Sequence, residues 1–184
     1  KLWSDFKIKG SPRVLAGQYR NEGERRVNAY LLNALGRHYF DAHSFREAFR
    51  FFSHANELHP DDDAYLMNSL RALAEIDAYN EAMDWLQPRI APFADSQAVQ
   101  SWDAWLAYQT DDAEKAVRIY RELFAAEYRD DDDFSVFVTM LADAEQWEEL
   151  DSAYVAYTAG GVNDKTRLLQ VQLLSRRGQH DTAL

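Results

Sequence analysis

Residues 29 to 62 read Ala-Tyr-Leu-Leu-Asn-Ala-Leu-Gly-Arg-His-Tyr-Phe-Asp-Ala-His-Ser-Phe-Arg-Glu-Ala-Phe-Arg-Phe-Phe-Ser-His-Ala-Asn-Glu-Leu-His-Pro-Asp-Asp. Leu32, Leu35, Gly36 and Tyr39 recur at i, i+3, i+4 and i+7, and Ala48, Phe52 and Ala55 repeat that spacing after a short polar break, the period of two amphipathic helices. Small residues (Gly36, Ala48, Ala55) stand where two helices would cross, large ones (Leu35, Tyr39, Phe52) surround them, and Pro60 follows the second helix.

The same chemistry returns at a constant interval along the chain. Ala48 maps onto Ala82, Ala116 and Leu150; the aromatic Phe45 maps onto Tyr79, Ala113 and Trp147; Phe52 maps onto Leu86, Tyr120 and Tyr154. The interval matches the tetratricopeptide repeat (TPR), a unit of about 34 residues, and the stretch from Ala29 to Asp62 resembles one such unit. The resemblance implies an all-α chain, a right-handed superhelical solenoid of antiparallel helix pairs. Its repeats would fall near 29–62, 63–96, 97–130 and 131–163, with a partial one over 164–184. Gly178, His180 and Ala183 echo the turn and second-helix start of that last unit one residue out of phase.

Later units depart from the first. Gly36 becomes Leu70, Ala104 and Val138, and Ala55 becomes Arg89, Leu123 and Tyr157. Larger residues at crossing points should spread the helices and leave Trp and Tyr to fill the space. Residues 1 to 28 do not match the repeat. They read as an N-terminal cap or the tail of an upstream unit, with a short helix from Ser11-Pro12 to Tyr19 that Asn21-Glu22-Gly23 ends, and Leu2, Trp3, Phe6, Val14, Leu15 and Tyr19 as its apolar residues.

Composition agrees with helices. Only 7 Gly and 4 Pro punctuate 184 residues, and 14% of the chain is aromatic, so long helices joined by short turns are favoured over a sheet. The net charge of −11 is uneven: residues 1 to 50 carry 10 basic against 5 acidic side chains, and the other 134 carry 10 against 26. That acidity argues against nucleic-acid or anionic-membrane binding by the later repeats. A basic head beside an acidic body is also compatible with self-association, as in a structural spacer or oligomerisation element of a bacterial envelope or secretion machine. The chain has no cysteine, which leaves cytoplasm and bacterial periplasm equally compatible. It carries no apolar run of membrane-spanning length, lacks an initiating Met, and reads as an excised piece of a longer protein.

Catalytic patterns are absent from the reading. His54 and His59 are five apart, about 140° round a helix, where two ligands on one face want three or four. Asp61-Asp62-Asp63 and Asp130 to Asp133 lack the Asp-x-Asp-x-Asp-Gly spacing of a calcium loop and fall at repeat junctions, where carboxylates cap helices. Glu145, Glu148 and Glu149 read as a solvated face. No cofactor and no enzyme activity is expected, unless the repeats position substrate for a catalytic domain elsewhere in a longer chain.

The resemblance places a partner-binding groove on the first helices. Its family positions map onto Tyr30, Asn33, Arg37, Phe40 and Asp41, then Ala64, Met67, Arg71, Ala74 and Glu75, then Ala98, Ser101, Trp105, Tyr108 and Gln109, then Asp132, Ser135, Thr139, Ala142 and Asp143. Of these, Tyr30, Asn33, Arg37, Phe40, Met67, Arg71, Trp105 and Tyr108 form the expected binding set, suited to a peptide or protein partner with carboxylates and an apolar anchor. The structural alternative is that Arg37 pairs with Asp41, and Arg71 with Glu75, each four residues on along its own helix. Asn33 and Arg37 stand where chaperone-tail binders of the family hold Lys and Asn, which argues against that ligand.

Overall fold

A computed structural model describes residues 21–178; the readings for the earlier residues, and for His180 and Ala183, lie outside the described residues. Within that span the chain is helical. The α-helices are α1 (Glu22–Asp41), α2 (Phe45–Leu58), α3 (Asp63–Ala74), α4 (Tyr79–Leu86), α5 (Gln97–Gln109), α6 (Ala113–Ala125), α7 (Asp131–Asp143), α8 (Trp147–Thr158) and α9 (Asp164–Arg176). Among the described residues there is no strand. Contacts divide the chain into two compact units, Lys1–Phe93 and Ala94–Leu184.

In the first unit α1 packs on α2, α2 on α3, and α3 on α4. Asn21, read above as part of a stop, instead caps α1: its side chain accepts from the backbone N–H of Glu24 at 2.9 Å, so the helix opens at Glu22, well before Ala29. The crossing of α1 and α2 is close because Gly36 has no side chain. A Cβ there would lie within 2.5 Å of the Phe52 ring. Ala48, Phe52 and Ala72 then form one buried cluster, and Ala29, Ala55 and Leu58 another. The second pair is cut short. Proline at 88 removes a backbone donor and crowds the preceding turn, so α4 stops at Leu86 and the chain continues through two 3₁₀ turns, Gln87–Arg89 and Ala91–Phe93. Arg89, at the position of Ala55, therefore leaves the helical crossing and stacks over Trp85, 3.3 Å from the ring centroid.

The second unit packs α5 on α6, α6 on α7, and α7 on both α8 and α9. Here the large substitutions are absorbed by aromatic stacking. Tyr157, at the position of Ala55, lies parallel to Phe134 with centroids 3.8 Å apart, and Phe124 meets Phe134, Phe137 and Tyr157.

Each first helix ends in the same way. His43, Asp77, Asp111 and Glu145, one at the same place in each repeat, all take positive φ, between 54° and 63°. In each case the following N–H reaches back along the helix to the carbonyl five positions earlier, as from Ser44 to Tyr39 at 2.9 Å and from Gln146 to Leu141 at 2.8 Å, the left-handed C-terminal motif that satisfies open carbonyls. Glu127, after α6, takes the same backbone (φ 61°), and the N–H of Tyr128 reaches Leu123 at 3.1 Å. Gly178, also at positive φ (74°), lies one position earlier than the interval between the four first-helix turns would place it. The missing residue falls in the turn around Gly160 and Gly161: α8 still follows α6 by the full repeat interval (Ala113 to Trp147), whereas α9 follows α7 by one position less (Asp131 to Asp164). That accounts for the phase slip seen in the sequence.

Candidate functional site

The first helices of the first unit carry most of the expected set. Tyr30 is 66% exposed, Arg37 and Arg71 are exposed, and Asn33 and Met67 are half-buried. Asn68 donates through its side-chain amide to Asn33 Oδ1 at 2.9 Å, which fixes α1 against α3 and sets the spacing of the residues either side. Phe40 is used differently. Its ring meets Phe45 edge-on at 5.1 Å and Phe52 at 6.5 Å, so it supports the α1–α2 contact.

The pairing of each arginine with the acid on its own helix does not form. Among the described residues neither Arg37 nor Arg71 makes an ion pair, although Asp41 and Glu75 stand four residues on. A cation N-terminal to its anion is the weaker order on a helix, since it opposes the dipole. The result is two uncompensated guanidiniums at equivalent repeat positions in an acidic protein.

Trp105 and Tyr108 belong to α5 in the second unit. Both are half-buried, and Trp105 meets Trp102 edge-on at 5.3 Å. Ser101 is buried and gives its hydroxyl to Asp133. That carboxylate is the polar centre of the unit: Tyr120 OH donates to Oδ1 at 3.0 Å and Tyr128 OH to Oδ2 at 2.9 Å. Burial first, then the Asp133 charge, pushes the fully buried Tyr120 phenol up; Tyr128 is pushed up to about 12, burial again leading. Asp130 caps α7 as expected, accepting from the N–H groups of Asp132 and Asp133 at 3.0 Å. Asp131 receives Tyr157 OH and the Asn163 amide, both at 2.9 Å.

The one-residue slip hid the groove positions of the fifth first helix. Counted from Asp164 they are Lys165, Leu168, Gln172, Ser175 and Arg176. Lys165 pairs with Asp132 at 3.1 Å and Arg176 with Asp143 at 2.9 Å. Between these two rungs lies a depression of about 490 Å³ lined by Thr139, Leu169, Gln172 and Arg176, among others. The basic groups on this face are thus neutralised, in contrast to Arg37 and Arg71.

Solved structures share this fold. A tetratricopeptide repeat protein from Parabacteroides merdae superposes with a TM-score of 0.72 at 14% identity, over 85% of this chain and 62% of its own. MamA from Desulfovibrio magneticus gives 0.69 at 17%, over 85% and 89%. YrrB, described as a TPR protein with an unusual peptide-binding site, gives 0.64 at 13%, over 95% and 88%. The fold is TPR-like. The chain matches no protein-family profile and no curated protein sequence. Among the described residues, no helix of this TPR-like chain is long and apolar enough to cross a membrane.

Proposed function

We propose that the protein is a non-catalytic interaction scaffold that holds an acidic peptide or protein segment against the first-helix face of its first unit. The observation that carries the reading is the pair of exposed, uncompensated guanidiniums of Arg37 and Arg71. A guanidinium meets a carboxylate with two parallel hydrogen bonds, and its weak hydration lowers the cost of bringing the two together. Tyr30, largely exposed, supplies amphipathic area for an apolar anchor, with Met67 an adaptable neighbour. Asn33 contributes by holding Asn68. Trp105 and Tyr108 offer a separate aromatic patch on α5. The peptide-binding site of YrrB supports the reading by analogy of fold.

The test is recovery of cross-linked partners from native cells by the wild-type chain and by an Arg37→Glu/Arg71→Glu double variant. Partners are expected to be lost in the variant, with wild-type recovery falling as salt is raised. Equal recovery by both chains removes this face from the account.

A further inference from the structure

The second unit carries charges that match the open cations of the first in sign and in spacing. Asp111 and Glu145 stand one repeat apart, at the left-handed turns after α5 and α7. Glu114 and Glu148, the second residues of α6 and α8, are likewise one repeat apart. All four are exposed, and none makes an ion pair among the described residues. The neighbouring cations of α6 are engaged elsewhere, Lys115 with Asp103 and Arg121 with Glu149, both at 2.7 Å.

Arg37 and Arg71 also stand one repeat apart, on α1 and α3. Successive repeats are related by a small, nearly constant displacement, so two cations one repeat apart can face two carboxylates one repeat apart with neither row distorted. The chain's own ends offer no rival. Outside residues 21–178 the sequence holds two acidic side chains, Asp5 and Asp181, near opposite ends, so neither terminal segment brings a pair. The first 20 residues also carry five cations, Lys1, Lys7, Lys9, Arg13 and Arg20, which the arginine pair repels.

We infer, resting on the first-unit reading above, that the acidic partner held by Arg37 and Arg71 is a second copy of this chain, whose α5–α6 and α7–α8 turns present Asp111, Glu114, Glu145 and Glu148 to the two guanidiniums. The contact joins two different surfaces, and each copy carries both, so association either closes as a reciprocal pair or runs on as a chain.

Sedimentation equilibrium of the full chain over a range of concentrations tests this. At about 0.1 M salt the mass is expected to rise with concentration above that of one chain, and to return to it at about 1 M, where the screening length has fallen from about 10 Å to about 3 Å. Two variants, Arg37→Glu/Arg71→Glu and Glu114→Lys/Glu148→Lys, should each associate roughly tenfold or more weakly, the scale of two exposed attractions turned into repulsions. Mixed in equal amounts they are expected to regain association at low salt, because each then opposes charges of the other sign in its partner. Asp111→Asn/Glu145→Gln, which leaves the helix starts untouched, should weaken association in the same direction and replaces the Lys variant if circular dichroism shows that one to have lost helicity. A mass independent of concentration at low salt, an association that survives either reversal, or a mixture that stays monomeric overturns the inference. A monomeric chain that still loses its cellular partners on Arg37→Glu/Arg71→Glu overturns the second copy as occupant and leaves the first-unit reading standing; one that keeps them overturns both.

Discussion

At the scale of single residues, two positions show how a side chain's surroundings set its energetic role. Gly36 sits inside a helix, where alanine is intrinsically better by about 1 kcal/mol. Its surroundings reverse that preference, because a methyl group would meet the Phe52 ring at 2.5 Å and Phe52 is itself buried. Gly36→Ala is therefore expected to destabilise by about 1–3 kcal/mol, measured by urea unfolding. Adding Phe52→Leu should recover part of the loss, so that the two changes are less costly together than their sum; additive costs would refute the contact. His54 is the second case. Burial, and then the charge of Arg50, hold its pKa below the ordinary 6.5. A histidine lowered in the folded state is protonated more readily when unfolded, so its contribution is present above about pH 6.5 and is lost as pH falls below it. Replacing His54 with Gln should flatten the stability profile just below pH 6.5, and an unchanged slope there would remove His54 as its source.

At the scale of elements, the helix ends show what the sequence makes legible. The junction acids were readable as caps because capping is local: Asp62 accepts from Ala64 N–H at 3.1 Å and Asp130 from two N–H groups. The start of α1 was misread because Asn21-Glu22-Gly23 fits both a stop and a start. The deciding signal was Glu24, three residues after Asn21, which favours a start. The left-handed turns were not legible, since His43, Asp77, Asp111 and Glu145 have no single residue type in common. The repeat imposes that backbone through the hydrogen bond that reaches back over the last helical turn rather than through preference. These four side chains, and Glu127 after α6, are thus held where glycine is most at ease. Glu145→Gly should stabilise the protein by up to about 1 kcal/mol, reduced by the greater freedom of glycine in the unfolded chain. Glu145→Val should destabilise it, because a branched Cβ is least tolerated at positive φ. Thermal unfolding of the two variants checks the sign, and a stable valine variant would refute the constraint.

At the scale of the whole molecule, the constant repeat interval made the helix pairs legible, and the surroundings of the proposed binding residues only in part. Arg37 and Arg71 could be placed from repeat position, but that they stand without acid partners depends on rotamers no spacing reports. The equivalent positions on α9 were hidden by the one residue lacking near Gly160. Asp133 was hidden for another reason: its hydroxyl partners come from positions 101, 120 and 128, on two other helices and the turn after α6. That hub gives a molecule-wide test of how stability is shared. In stacked repeats each unit contacts its neighbours, so stability is close to a sum of local terms. Asp133→Ala leaves the Tyr120 hydroxyl buried without an acceptor, at a cost of about 1–3 kcal/mol. Hydrogen exchange should report that loss in full on the amides of α5 to α7, where the hub's partners lie, and markedly less on α1 to α3. An equal loss of protection in both units would mean that the chain unfolds as one cooperative body, and the local account of its stability would then fail.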